Sequence, residues 1–308
     1  MANRHYNTDS SNHVGSVIRQ QADRAVLGDR CAHNTVRTDR LLSRFEFMDA
    51  VVFQSVSKTF RHRPALFNWL GRERGGETIA LKDVSFSAAP AEVLALLGPN
   101  GSGKTTTLKL ISTMLLPDAG SVRVAGCDTR GDSGLVRRRV GIAIATERSF
   151  FPRLSARENL DFFAALDEVS RRERRERIAE VLSETGLEEQ SDTLVMKFSS
   201  GMFQRLGIAR ALVKRPAVLL LDEPTRSMDA ATTAHFWTTI RALAKQKTTI
   251  LIATHNFAEA TAVADRLLLL HHGELLADRR VLEHENADEL RSFYFRMTGE
   301  IDEAALRI

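Results

Sequence analysis

Gly98-Pro-Asn100-Gly101-Ser102-Gly103-Lys104-Thr105-Thr106 carries the spacing G-x-x-x-x-G-K-T directly after an apolar run, Glu92–Leu97. Glycines in such a loop let the backbone curl until its N–H groups converge on phosphate oxygens. A helix beginning near Lys104 adds the positive end of its dipole. Lys104 can reach the β and γ phosphates of a nucleotide as a point charge, and the Thr105 hydroxyl suits Mg²⁺. A second run, Val218-Leu-Leu-Leu-Asp222-Glu223, ends in two carboxylates. At the C-terminal edge of a sheet, Asp222 can hold Mg²⁺ through water, while Glu223 can act as general base on an attacking water. A strand ending in Asp-Glu is commonplace alone. Paired with the phosphate loop it specifies nucleotide chemistry.

These groups need a scaffold, and the chain past Val51 alternates short apolar runs with helical stretches, as a parallel-sheet α/β domain does. Strands are expected over 51–56, 80–87, 92–97, 121–124, 140–144, 218–222, 249–254 and 266–271. Several are apolar throughout, as strands covered on both faces must be. Helices are expected after Lys104, Ser155, Arg171, Ser199, Ala231 and Asn256. Ser155-Ala-Arg-Glu158 has the form of a capping box. The mainly helical stretch 155–215 separates two strand-bearing blocks and reads as an inserted helical subdomain. Arg171–Arg177 reads as a solvated helix face with local ion pairing.

Composition narrows the class further. The 308 residues are 43% hydrophobic, which excludes wholesale disorder. Cys31 and Cys127 are too few and too distant for a disulfide framework or a metal clip. Val93–Leu97, Ala217–Leu221 and Leu267–Leu270 fall far short of the roughly 18 apolar residues a membrane-spanning helix needs. A net charge of +4 is a mild excess and no nucleic-acid footprint. Residues 1–47, rich in Asn, Ser, Thr, Asp and Arg, are expected to be a disordered extension, with Met48 the expected biological start. Residues 48–298 are read as one domain, its helical part at about 146–216, and 299–308 as a short tail. The insert His62–Gly75, basic and aromatic, reads as a long loop or as a contact for lipid headgroups.

Together the motifs place the chain among P-loop NTPases, and three further stretches sharpen the resemblance. Phe198-Ser-Ser-Gly201-Met-Phe-Gln-Arg205 resembles the signature motif of ATP-binding cassette (ABC) proteins. Asp222-Glu-Pro-Thr225 continuing to Ser227-Met-Asp229 resembles that family's Walker B and D-loop, and Ala253-Thr-His255 its switch histidine. Phe60 stands where the family stacks an aromatic on adenine, with a place in the core as the alternative. The resemblance spans about residues 51–298. It implies a P-loop NTPase fold, a RecA-like mixed sheet core with an inserted α-helical subdomain and an antiparallel β edge.

It also implies function. ATP and Mg²⁺ would be bound, and ATP hydrolysed, by a subunit that pairs with a second cassette, as a homodimer, around two nucleotides. Ser199 and Gly201 would contact the γ-phosphate held by the partner's Lys104; His255 would position Glu223 and water; Asp229 would join the interface. The subunit would power an integral membrane permease and sit at the cytoplasmic face of the membrane through it, with no nucleic-acid partner. The surface around residues 146–154 would receive the permease, with Phe150 and Phe151 candidates for that contact or for the core.

Two departures from the family pattern stand out. Ser200 and Met202 replace a glycine and a polar residue of the commonest signature. The loop before the helical subdomain lacks the usual Gln; alignment on Leu154 puts Thr146 or Glu147 there, and Glu147 would keep a metal or water contact. The run Glu147-Arg-Ser-Phe-Phe with this signature resembles bacterial type-2 exporter cassettes, which move drugs, lipids or polysaccharides. The rival readings are a non-transport ABC ATPase acting as an assembly scaffold, and a nucleotide-dependent binding module with little turnover.

Overall fold

In the computed structural model, residues 49–61, 76–144 and 150–300 are described. Met48, the N-terminal extension, the 62–75 insert, Thr146, Glu147 and the end of the tail lie outside them. Among the described residues, ten strands form two sheets. β1 (Val51–Arg61), β2 (Glu77–Ala88), β4 (Ala119–Val124) and β5 (Cys127–Asp128) make an antiparallel sheet ordered β2-β1-β4-β5. β3 (Val93–Leu97), β6 (Val140–Ile144), β7 (Val218–Asp222), β8 (Thr249–Thr254), β9 (Arg266–His271) and β10 (Glu274–Arg280) make the second, ordered β10-β9-β3-β8-β7-β6. It is parallel except for β10, which closes one edge antiparallel to β9.

Burial explains the continuous apolar strands. In β3, β7 and β8 every residue is buried. Alternate residues serve different layers: Leu219, Leu221, Ile250 and Ile252 join the core shared with the helical subdomain, while Val218, Leu220, Leu251 and Ala253 join the core against the antiparallel sheet.

Eight helices complete the described residues: α1 (Lys104–Ile111), α2 (Ser133–Arg139), α3 (Ala156–Leu166), α4 (Arg171–Glu184), α5 (Ser200–Leu212), α6 (Ala230–Lys245), α7 (Phe257–Val263) and α8 (Ala287–Thr298). The expected capping box is present: Ser155 accepts from Glu158 N, and Glu158 accepts from Ser155 N. α3, α4 and α5 form the helical stretch between β6 and β7, packed through Leu160, Val181, Leu182 and Leu206.

Three outcomes differ from the sequence reading. β5, β10, α2 and α8 have no counterpart in it; β10 is a half-exposed edge strand of polar sequence without an apolar run. The Arg171–Arg177 face is not wholly solvated. Arg177 is only 8% exposed and donates to Leu212 O (2.7 Å) and Val213 O (3.3 Å) at the C-terminal end of α5, with Glu180 2.8 Å away. The guanidinium thus satisfies helix-end carbonyls that would otherwise be orphaned. Phe150 and Phe151 also part company. Phe150 is buried, edge-on to Phe163, whereas Phe151 is 44% exposed and meets the exposed Phe162 at 4.8 Å.

Candidate nucleotide site

Parallel register brings the functional groups to one edge. Leu97 pairs with Thr254, Asp222 with Ala253, and Ile144 with Asp222. The loop at Gly98, the carboxylates Asp222 and Glu223, and His255 therefore leave adjacent strands at the same level. Open α/β sheets place their ligand sites at this edge.

A cavity of about 410 Å³ opens there, lined by Phe60, Asn100, Gly101, Gly103, Lys104, Thr105, Thr106, Asp222 and Glu223, and also by Thr78, Ala80, Ile144 and Arg226. Gly103 caps α1 with φ 109°, and a Cβ there would stand 2.6 Å from Ala80 O, so only glycine fits. No side chain caps α1. Its first three residues, Lys104, Thr105 and Thr106, line the cavity, and the N–H groups of a helix's first turn favour an anion. Ser102 is buried and its hydroxyl makes no hydrogen bond. Lys104 Nζ donates to Gly98 O (2.7 Å) and Pro99 O (3.0 Å). Burial pulls the Lys104 ammonium down from its usual range, opposed by Glu223 and Asp222.

Thr105 Oγ1 donates to Asp222, 2.9 Å and 3.2 Å from its two oxygens, joining residues 117 apart in sequence. Burial raises the Asp222 carboxyl, and the Thr105 hydrogen bond works against it. A hydroxyl and a carboxylate side by side are hard oxygen donors of the kind a Mg²⁺ bound with phosphates uses. A cation there would also relieve the burial of Asp222.

Glu223 occupies the left-handed region at φ 50°, which costs a non-glycine residue about 1–3 kcal/mol and marks many working sites. Two bonds hold it there: its N–H donates to Ala253 O (2.8 Å), and Gln204 Nε2 donates to its carbonyl (2.7 Å). His255 Nδ1 lies 2.8 Å from the Glu223 carboxylate.

The remaining expected residues lie elsewhere. Ser199 is exposed at the N-terminus of α5, its hydroxyl accepting from Met202 N. Gly201 packs on the backbone of Ser227. Asp229 caps α6 by accepting from Thr232 N (2.8 Å), and that bond lowers its carboxyl below the ordinary range. None of the three lines the cavity. Glu147 falls outside the described residues. Sequence reasoning overlooked Arg226 and Gln204 as neighbours of this site. Arg226 follows the Asp222-Glu-Pro-Thr run and Gln204 stands one helical turn beyond Gly201, so proximity to the motifs was the available signal.

Comparison with known proteins agrees with this geometry. Residues 81–226 match the ABC transporter family. The chain is 34% identical over 218 residues to the ABC transporter ATP-binding protein NatA of Bacillus subtilis (strain 168), covering 70% of this chain and 89% of NatA. It is 37% identical over 206 residues to the Nod factor export ATP-binding protein I of Burkholderia orbicola (strain AU 1054), covering 67% of each. Among solved structures, the dimeric post-hydrolysis state of the ATP-binding cassette MJ0796 with ADP and phosphate superposes with a TM-score of 0.66 at 27% identity, over 76% of this chain and 99% of that one. With the phosphate loop, the paired carboxylates and the histidine on one sheet edge, the chain belongs to the ABC transporter family, as an ATP-binding and ATP-hydrolysing subunit.

Proposed function

We propose that two copies of this chain close head to tail around ATP and drive a separate membrane permease, in the direction of export. The observation that carries this reading is the division of the signature from the cavity. Ser199, exposed, and Gly201, half-buried, do not line their own chain's cavity and stand at a helix N-terminus, where they suit the γ-phosphate held by a second chain. The dimeric state of the MJ0796 cassette supports the same arrangement. Export follows the relative named for Nod factor export.

Within each site Lys104 and the first turn of α1 bind the phosphates, and Phe60 receives the adenine. Thr105 and Asp222 are the residues that would hold Mg²⁺, which supplies charge neutralisation on the phosphate oxygens. Glu223 takes a proton from the attacking water. His255, bonded to Glu223, holds that carboxylate in place. Among the described residues no helix is long and apolar enough to cross a membrane, and the exposed Phe151–Phe162 pair offers the permease an apolar contact. The subunit would work at the cytoplasmic face through that contact.

Sedimentation equilibrium of Glu223→Gln tests the reading. With ATP and Mg²⁺ the variant is expected at twice the chain mass with turnover abolished, and at the single-chain mass without nucleotide. A variant that stays single-chain and hydrolyses ATP normally would overturn it.

A further inference from the structure

Phe60 lines the nucleotide cavity from the C-terminal end of β1, where that strand has lost one of its two neighbours. β1 pairs with β2 as far as its last residue, Arg61, and Phe60 stands opposite Thr78. On the other side β1 pairs with β4 only as far as Ser57, opposite Ala119, the first residue of β4. The β2 ladder also shifts register on both sides of Lys58. A strand end paired on one side presents unpaired N–H groups and is weakly fixed. Asp118 stands in for the missing strand. Its N–H donates to Ser57 O (2.9 Å), and its carboxylate takes the next N–H on that side, from Thr59 (2.7 Å). The other carboxylate oxygen accepts from Lys58 Nζ (2.8 Å). That ammonium lies 5.9 Å from the centre of the Phe60 ring, within range of a cation–π contact. Neither Lys58 nor Asp118 lines the cavity, so both meet it only through Phe60.

We propose that Asp118 is a positioning residue for the base of the nucleotide: through Thr59 and Lys58 it fixes the one-sided end of β1, so that the Phe60 ring stays presented to the adenine. The inference rests on the reading of Phe60 as the adenine contact. Stacking depends on the offset and tilt of the two rings, which a frayed strand end does not hold. The Lys58 side chain is largely covered but that of Asp118 is half exposed. A pair this open adds little to global stability, so its effect is local, on the geometry of residues 58–60. The phosphates are held separately, by Lys104 and the first turn of α1. Loss of the support should therefore weaken recognition of the base and spare that of the phosphates.

The test titrates the full chain with two probes: ADP with Mg²⁺, which carries the base, and pyrophosphate with Mg²⁺, which lacks it. Phe60→Ala should weaken ADP about 5- to 100-fold, the scale of one lost base–aromatic stack. Asp118→Ala should weaken ADP about 3- to 10-fold, a part of that stack. Its pyrophosphate affinity, its kcat at saturating ATP and its thermal midpoint should stay at the wild-type level. Asp118→Asn keeps an acceptor for the Thr59 N–H and should recover part of the loss. Placed in the Phe60→Ala background, Asp118→Ala should add little, because both act through one contact. Should Asp118→Ala not fold, Lys58→Met, which removes the ion pair and leaves the Thr59 bond, takes its place with a loss in the same direction. Wild-type ADP affinity in that variant would overturn the support. So would equal weakening of ADP and pyrophosphate, the mark of a merely structural role. If Phe60→Ala binds ADP as the wild type does, the adenine reading fails and the support with it. If Phe60→Ala weakens ADP while Asp118→Ala does not, only the support fails.

Discussion

His255 Nδ1 lies 2.8 Å from the Glu223 carboxylate, across the ends of two adjacent parallel strands. The histidine is half exposed and the glutamate largely covered, so the ring reaches over the carboxylate from the solvent side. The ring nitrogen stands 2.8 Å from both carboxylate oxygens, so the contact fixes the orientation of the whole carboxylate.

Replacing His255 with alanine removes that constraint while leaving the phosphate loop intact. Turnover should fall about 10²- to 10⁴-fold, the range of a displaced general base, with nucleotide affinity within a few-fold of wild type. Single-turnover hydrolysis and equilibrium nucleotide binding, measured on one preparation, check the split. Equal losses in both would mean that His255 serves binding.

Lys104 donates to the carbonyls of Gly98 and Pro99, bonds it would exchange for phosphate oxygens in the proposed nucleotide complex. Lys104→Ala should weaken ATP binding about 10- to 100-fold, as expected for one charge-assisted hydrogen bond of roughly 1.5–3 kcal/mol. Isothermal titration against ATP and adenosine separates the effects, since adenosine affinity should not change.

Arg177 joins α4 to the C-terminal end of α5 through two backbone carbonyls, with Glu180 of its own helix 2.8 Å away. Arg177→Ala should destabilise the fold by roughly 3–5 kcal/mol, the usual consequence of removing one partner of a buried charged network. Arg177→Lys should recover only part, because a single ammonium cannot reproduce the forked donors. Urea unfolding measures both; a change below about 1 kcal/mol for alanine would place Arg177 among ordinary surface residues.

Glu259 makes stability depend on pH with a definite sign. Its folded carboxyl titrates above the ordinary value of 4.5, so the folded chain retains a proton that the unfolded chain releases. Stability from this group is present below 4.5 and declines as pH rises toward the folded value. Glu259→Gln cannot titrate, so its urea midpoint should gain on wild type progressively as pH rises above the ordinary carboxyl value of 4.5. A gap that stays constant with pH would mean that the carboxyl is not held up.

The Gly98–Thr106 loop was legible because its pattern is contiguous: a strand, a glycine-rich turn and a helix start are local. The buried strands of the parallel sheet were legible as apolar runs for the same reason, and the Ser155 capping box as a local reciprocal pair. β10 was not, since an edge strand keeps one side in water and carries no apolar signature.

What the linear chain determined, then, is the strand, glycine-rich turn and helix start around Gly98–Thr106, and that a parallel sheet must carry them. Only the tertiary structure decided which distant residues meet. Thr105 reaches Asp222 and His255 reaches Glu223 because the registers of β3, β8 and β7 bring their C-terminal ends level. Arg177 and Glu259 look like surface charges in the sequence. Burial separates them from their neighbours, because the free energy of a charged group depends on the solvent and partners around it, and the packed helices and strands supply those.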